Sequence, residues 1–550
     1  MQKVSDSPGL LGFLADGALD ARGGGPLGER VLEVGGAGRE LAGVNAREGL
    51  GGRSVDDLVR EQRTFAGKRV DRIRVVVERM LVDRAPVAGR DQKHDREEQR
   101  RPSHGPLTTR LFPAVSPGRV DSASVYDVVV IGGGFAGVTA AREATLGGAS
   151  TLLLEARDRL GGRTWTHRWN NTDVELGGGW VHWHQPHVWA EITRSGLGVE
   201  LGEDAQISSW FTGDERRSGP ITERDAIAER GWDQFVDGVE EALPLPHDPL
   251  LSGDKLARFD RQTIAERVEE LDLDEEERDV LWAELESLAH GHLEDAGAVA
   301  VLRWHALSGG SLALTQQTGG RITFLDGTQS LVQAIWAKSP YETRLETPVA
   351  SVTQREGGVE VHTRPGETIE AGKVVVAVPL NSLGGIEFDP PLSGTKRAAI
   401  DLGQASRGIK IFIHARGEPV FTNGIKPGHP FGYLDTEIIY PDGTQLMIGF
   451  GYDQEICDAS DLEAVQRQLD DIIPGYEAIA AYAHNWLADE FSRGTWAIHR
   501  PGWYTDYHAE MQRAEGNLLL AGSDFANGWA GFMDGAIESG LKAGAWALRG

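Results

Sequence analysis

From residue 125 onward the apolar positions fall into clear periods. Tyr126-Asp127-Val128-Val129-Val130-Ile131 is a nearly continuous apolar run, as expected of a strand covered on both faces. Gly132-Gly133-Gly134-Phe135-Ala136-Gly137 follows, and Val138–Ala144 has the composition of a good helix. A second strand, Thr151-Leu152-Leu153-Leu154, ends in Glu155, so the order predicts a βαβ unit. Between Thr222 and His305 the chain is acidic, as in Leu271-Asp272-Leu273-Asp274-Glu275-Glu276-Glu277-Arg278, with Val280, Leu281, Trp282 and Leu285 at helical spacing. That pattern predicts amphipathic helices forming a solvated layer. Residues 1–124 show no sustained period of 2 or 3.6; Arg74-Val75-Val76-Val77 is a short apolar piece and Arg90–Arg101 is almost all polar.

Composition sharpens the division. Residues 1–124 contain no Trp or Tyr and only three Phe (Phe13, Phe65, Phe112), whereas all 15 Trp lie later. A segment so poor in large apolar groups does not offset its ordering entropy. The expectation is a disordered or non-native N-terminal extension, with a start near Val120 or Val125; a partner-binding arm and a marginal extra domain are the other readings. The net charge is +3 over residues 1–124 and −31 over residues 125–550. An acidic body argues against a nucleic-acid surface, which needs positive patches to displace phosphate counterions. There is no apolar run long enough to span a membrane and no signal peptide at Met1. The single cysteine, Cys457, excludes an internal disulfide framework and multi-Cys metal sites. A soluble cytoplasmic protein is expected, with Cys457 an inert thiol.

Gly132, Gly134 and Gly137 stand between strand and helix, and Glu155 falls 18 residues after Gly137. In that setting Gly-x-Gly-x-x-Gly is a strong dinucleotide signal. Gly132 allows the tight turn, Gly134 lets a pyrophosphate approach the backbone, and Gly137 lets the helix pack on the strand. The helix N-terminus offers free N–H groups to the phosphates, and Glu155 would accept hydrogen bonds from a ribose.

Two further blocks, Ala156-Arg157-Asp158-Arg159-Leu160-Gly161-Gly162-Arg163-Thr164 and Glu175-Leu176-Gly177-Gly178-Gly179-Trp180-Val181-His182, resemble the flavin-containing amine oxidase superfamily, which includes monoamine and polyamine oxidases. Gly179-Trp180-Val181-His182-Trp183-His184-Gln185-Pro186 is especially similar to bacterial nicotine and pseudooxynicotine oxidases. Phe324–Leu331, Val349 to Pro379, Phe388–Leu392, Gly408-Ile409-Lys410, Asn485-Trp486, Phe491–Trp496, Leu520–Asp524 and Gly528–Ala536 follow in the family's order. The resemblance covers residues 125–550. It implies an α/β fold in which a Rossmann-type FAD-binding domain (125–200, 322–399 and 488–550) is interleaved with an α+β substrate-binding domain (201–321 and 400–487). It also implies FAD held by Gly132, Gly134, Phe135, Ala136, Gly137, Glu155, Ala156, Arg157, Gly162, Arg163, Gly178, Gly179, Trp180, Val181, Val349, Trp486, Gly522, Ser523, Asp524, Met533 and Ala536.

The implied reaction removes hydride from the carbon beside an uncharged amine nitrogen to flavin N5, and water then hydrolyses the iminium to a carbonyl product. The substrate expected is a small-molecule secondary or cyclic amine, nicotine-like, or a bulky arylalkylamine. Reoxidation by O2 or by an electron-carrier protein stays open, as does a homodimer. By resemblance Lys410 holds a water at flavin N5; strand alternation alone would turn this lysine to solvent, but its spacing of 22 residues from Phe388 suits the family. Trp496 and Phe532 are the expected walls of an aromatic cage, against the alternative that both are core aromatics. Many members carry Tyr there, so Phe532 points to a bulkier or more apolar amine. Thr495 stands where some monoamine oxidases have a flavin-linked cysteine, so the FAD is expected to be non-covalent. His182, His184 and His187 match no zinc spacing, and no metal is expected; His182 would line the flavin edge. The helical region 222–305 would cap the substrate pocket. The absence of a second Gly-x-Gly-x-x-Gly argues against a second nucleotide. The remaining alternatives are an L-amino-acid oxidase, whose carboxylate-binding arginine is unassigned among Arg303, Arg321 and Arg407, an FAD desaturase, and an inactive flavin-binding interaction protein.

Overall fold

Val128–Ile131 are buried on both faces, and their neighbours explain why. In a computed structural model that describes residues 126–202, 205–423, 425–454 and 458–549, this strand (β1, Tyr126–Ile131) is central to a mixed eight-stranded sheet. The readings made above for residues 1–124 and Cys457 lie outside the described residues.

β1 is followed by a helix (α1, Phe135–Leu146) and a strand (β2, Thr151–Leu154), as the pattern predicts. β1 pairs in parallel with β2 on one side and with Thr368–Val376 on the other, and Leu518–Leu520 adds in parallel to Val374–Val376. The register aligns Ile131 with Leu154 and Val376, and Val376 with Leu520. The carboxyl ends of these strands therefore share one edge, and Gly132, Glu155 and Gly522 all lie within two residues of it. Ligands of open α/β sheets bind outside that edge. This is a Rossmann-type α/β fold.

A second, seven-stranded sheet draws its strands from 207–220 and 409–483. Its strand Ile409–Arg416 carries Lys410, and it is buried on both faces over Ile409–Ile413, so Lys410 does not reach solvent as simple alternation would have it.

The helices of 221–320 differ in part from the solvated layer expected. Helix Glu275–Ala289 starts with a capping box, Asp274 with Glu277, and its first turn is half-buried beyond the exposed Glu275. Its second half is buried: Leu281, Leu285 and Leu288 join Trp232 and Phe235 in the largest apolar core. Glu284 is paired there with Arg224 on helix Ile221–Phe235, so an acidic composition still builds an interior helix. No helix of the described residues is long and apolar enough to cross a membrane.

The closing helix, Met533–Ala547, lies against α1. A Cβ on Gly540 would stand 2.5 Å from the Ala136 carbonyl oxygen, and one on Gly544 would stand 2.5 Å from Glu143 Cβ. The two helices thus run parallel, and the closing helix begins about one turn further toward the carboxyl edge than α1. Gly540→Ala is expected to push the helices apart and to cost about 1–3 kcal/mol, read as a lower Tm; an unchanged Tm would show that this approach does not matter.

Candidate active site

The glycine turn has the steric signature of a nucleotide loop. Gly132 adopts φ +105°, where a Cβ would meet the Ala377 carbonyl oxygen at 2.5 Å, and a Cβ on Gly137 would stand 1.8 Å from the Gly132 oxygen. Gly134 is different: its nearest neighbour is Gly162 Cα at 3.9 Å, so a Cβ there would fill an open cradle. Gly134 also caps α1 without a side-chain hydrogen bond, leaving the first-turn N–H groups at Phe135 and Ala136 for an anion.

Glu155 Oε2 accepts from the Gly133 N–H at 2.5 Å, and Oε1 accepts from the Arg157 N–H at 2.8 Å. Burial pushes its carboxyl above the usual range against the pull of those N–H groups. Glu155 therefore shapes the loop. Ala156 continues this turn, and Thr347 N–H binds the Glu155 carbonyl at 2.8 Å, which brings in the buried Val349. Arg157 turns its side chain to Asp489 (2.8 Å) and Ser492 (2.8 Å).

Arg163 gathers the other end. It donates to the Thr495 carbonyl at 2.7 Å, to Ser523 Oγ at 2.9 Å and to Asp524. Burial opposes ionisation of Asp524, but Arg163, the Leu380 N–H at 2.9 Å and Ser523 hold its carboxyl below the usual range. Gly522 N–H donates to Ser539 Oγ at 3.0 Å, which ties this loop to the helix that carries Met533 and Ala536. Trp486 is buried beneath Gly177–Gly178, with its Nε1–H on the Leu176 carbonyl at 2.9 Å. Trp180 and Val181 form a short strand paired with Ile322–Thr323. An open cradle, free helix N–H groups and a polar clamp along one sheet edge fit a dinucleotide cofactor.

Lys410 comes from the second sheet and is 4 % exposed. Its Nζ donates to the Gly177 carbonyl at 3.1 Å, lies 4.2 Å from the Trp180 ring centroid, and would be 3.4 Å from a Cβ on Gly179. Desolvation outweighs the attraction of Glu175 and Glu437 and lowers its pKa to about 8.

The aromatic residues meet at a pocket lined by Trp496, Phe532, Trp304, Trp529, Arg303 and Tyr504, among others. Trp304 and Trp529 stand edge-on to Phe532, at 4.8 and 5.2 Å. Trp496 donates its Nε1–H to the Leu288 carbonyl at 3.1 Å. His290 stacks flat on it at 4.1 Å and 6°. Periodicity could not have found His290. It caps helix Glu275–Ala289 in the left-handed region, φ +50°, and only that turn puts its ring between Thr495 Oγ1 (3.0 Å) and the Ile409 carbonyl (3.1 Å). Burial lowers its pKa to about 3, so the ring is neutral. Phe450 closes the space between Lys410, Trp180 and Trp496.

Of the three neighbouring histidines, His182 and His184 stay in contact, with ring centroids 4.9 Å apart, and His187 turns away. His184 Nδ1 meets the Ser308 carbonyl at 3.1 Å, and His187 Nδ1 meets Asp534 at 3.1 Å. His182 is fully buried, accepts from the His184 N–H at 3.2 Å, and has a pKa lowered to about 4 by burial and then by His184 and Arg321. Arg407 contacts Asp453 at 3.3 Å, so of the three unassigned arginines Arg303 is the one lining the pocket.

The pattern defining flavin containing amine oxidoreductases matches residues 135–545. Pseudooxynicotine dehydrogenase of a Pseudomonas species is 38% identical over 436 residues, covering 78% of this chain and 87% of that protein. (S)-6-Hydroxynicotine oxidase of Paenarthrobacter nicotinovorans is 30% identical over 431 residues, covering 76% of this chain and 97% of that protein. Among solved structures, putrescine oxidase bound to putrescine superposes with a TM-score of 0.67 at 21% identity, covering 77% of this chain and 98% of that chain, which shows a shared fold.

Arg163→Ala leaves the Asp524 carboxylate buried without its cation. A loss of about 3–5 kcal/mol is expected in urea unfolding; wild-type stability would show that the clamp is dispensable.

Proposed function

The chain belongs to the family of flavin containing amine oxidoreductases, and on that premise we propose that it binds FAD without a covalent link and oxidises the C–N bond of a nicotine-like secondary or cyclic amine or of a bulky arylalkylamine. The observation carrying this reading is the approach of a desolvated lysine, Lys410, to Gly177–Trp180 beside a pocket walled by Trp496 and Phe532.

The flavin supplies the hydride acceptor. This chain's residues bind, orient and exclude water. The Gly132–Gly137 loop and α1 receive the pyrophosphate, and the Arg163 clamp holds the loops at 495 and 523. Thr495 offers a hydroxyl that meets His290 Nδ1 (3.0 Å) and Ser406 Oγ (2.9 Å), and a hydroxyl forms no thioether. Lys410 Nζ spends one N–H on Gly177 and keeps others for a water. Trp496 and Phe532 carry no hydroxyl at the pocket, so they favour an uncharged, apolar amine. The relatives named for nicotine compounds support that substrate class. Oxygen or an electron-carrier protein takes the electrons afterwards.

An anaerobic panel of amines and amino acids, read as bleaching of the bound flavin, tests the reading. Secondary and arylalkyl amines are expected to bleach it; bleaching by amino acids alone would overturn it. Lys410→Met is expected to keep the yellow cofactor and to slow either bleaching or the return of colour in oxygen by about tenfold or more. The ammonium is present below its pKa of about 8 and lost above it, so the oxygen step of the wild type should slow as pH rises through that value. Wild-type kinetics in Lys410→Met would refute the role.

A further inference from the structure

Arg303 lies on helix Ala298–Leu307, is 2 % exposed and lines the substrate pocket with Trp496 and Phe532. Its Nη2 donates to the Asn527 carbonyl and, at 2.6 Å, to the Gly528 carbonyl. Its Nη1 donates to the Tyr504 hydroxyl. Its Nε has no partner. Among the described residues no carboxylate pairs with this guanidinium; the nearby Asp260 binds the Tyr504 and Thr505 N–H groups, and Glu538 binds the Gly528 N–H and Lys542.

The direction of the hydrogen bonds confirms that the charge stays in place. His499 Nε2 faces the Asp524 carbonyl at 2.9 Å, which can only accept, so Nε2 carries the proton. Nδ1 then accepts from the Tyr504 O–H at 3.0 Å, and Tyr504 in turn accepts from Arg303. The chain Arg303, Tyr504, His499 ends on the Asp524 backbone carbonyl; the Asp260 and Asp524 carboxylates act on Tyr504 and His499 from nearby but hydrogen-bond to other groups. His499, His508 and His247 all have their pKa lowered, by burial first and with Arg303 as a further cause.

Both hydrogens of Nη2 are occupied by backbone carbonyls. Either fork that would grip a carboxylate with two parallel N–H bonds needs Nη2, so neither is free. A single N–H donor remains at Nη1, and the unpaired Nε–H is sealed from solvent. We propose that Arg303 is a specificity-determining residue: it selects amines whose remote end is uncharged, best a single neutral acceptor such as a carbonyl or azine nitrogen, and rejects amines carrying a second positive charge. This deepens the amine-oxidising reading and rests on it for the location of the reactive end. A buried cation acts through a low local dielectric, so its repulsion is felt across the pocket.

The test uses the holoenzyme and three ligands of one shape: a pyridyl-ethylamine, its N-methylpyridinium counterpart and its carboxyphenyl counterpart. Binding, read from the perturbation of the bound flavin's visible spectrum, reports the preference whether or not the ligand is oxidised, whereas bleaching reports the reaction. The pyridinium is expected to bind at least about tenfold more weakly than both others. Equal penalties for cation and anion would mean simple desolvation and would overturn the proposal. Arg303→Gln should bring the ratio of pyridyl to pyridinium affinity toward one, and Arg303→Lys should preserve it; a folded Arg303→Gln protein that keeps the wild-type ratio would also overturn it. Should Arg303→Gln not fold, Lys410→Met serves instead: the preference surviving removal of that other buried cation supports Arg303, and its loss overturns the assignment.

Discussion

One guanidinium joins the parts of the chain that make the site. Arg163 stands in the loop after β2, and its partners Thr495, Ser523 and Asp524 lie more than 300 residues away. Asp524 is sealed from water, and an isolated carboxylate there would be costly. The ion pair removes that cost only while the early and late segments of the chain are held together. Trp496 follows Thr495, and Met533 follows the turn whose Gly531 N–H binds the Ser523 carbonyl, so the aromatic walls and the closing helix inherit their positions from the same contact. Sheet register brings these loops to one edge; Arg163 fixes their spacing there.

Among the described residues, two cations of the site lack an acidic hydrogen-bond partner. Lys410 and Arg303 are buried cations without a carboxylate in hydrogen-bonding contact, and the rings of His290 and His499 are kept neutral by burial. On the proposed reading, such a pocket would penalise an ammonium and admit the uncharged nitrogen base, which is the form whose lone pair can assist loss of hydride, so the residues that bind would also select the protonation state.

Local pattern was enough for β1, the glycine turn, α1 and β2, because a buried parallel strand and a Gly-x-Gly-x-x-Gly turn leave their signature within thirty residues. It also placed Trp496 and Phe532 at one pocket, through motifs of a known order. Alternation misjudged Lys410, since Ile409–Arg416 is an inner strand covered on both faces for most of its length. Amphipathic spacing likewise overstated the exposure of Glu275–Ala289, because Arg224 neutralises Glu284 from a helix forty residues earlier in the chain. His290, Phe450 and Arg303 carry no signal in their own neighbourhoods. His290 depends on one left-handed cap, and Arg303 on the meeting of Ala298–Leu307 with Tyr504 and the Asn527–Gly528 turn.

Asp524 connects the two cations that matter at either end of the site. Its carboxylate answers Arg163, and its backbone carbonyl ends the hydrogen-bond chain that begins at Arg303. The carboxylate is committed to Arg163, and Arg303 is left with carbonyl and hydroxyl oxygens, which occupy some of its donors and do not neutralise its charge. On the proposed reading, the clamp that joins the loops at 163, 495 and 523 also leaves Arg303 without an acidic partner, so cofactor binding and amine selectivity would both follow from how one aspartate is shared.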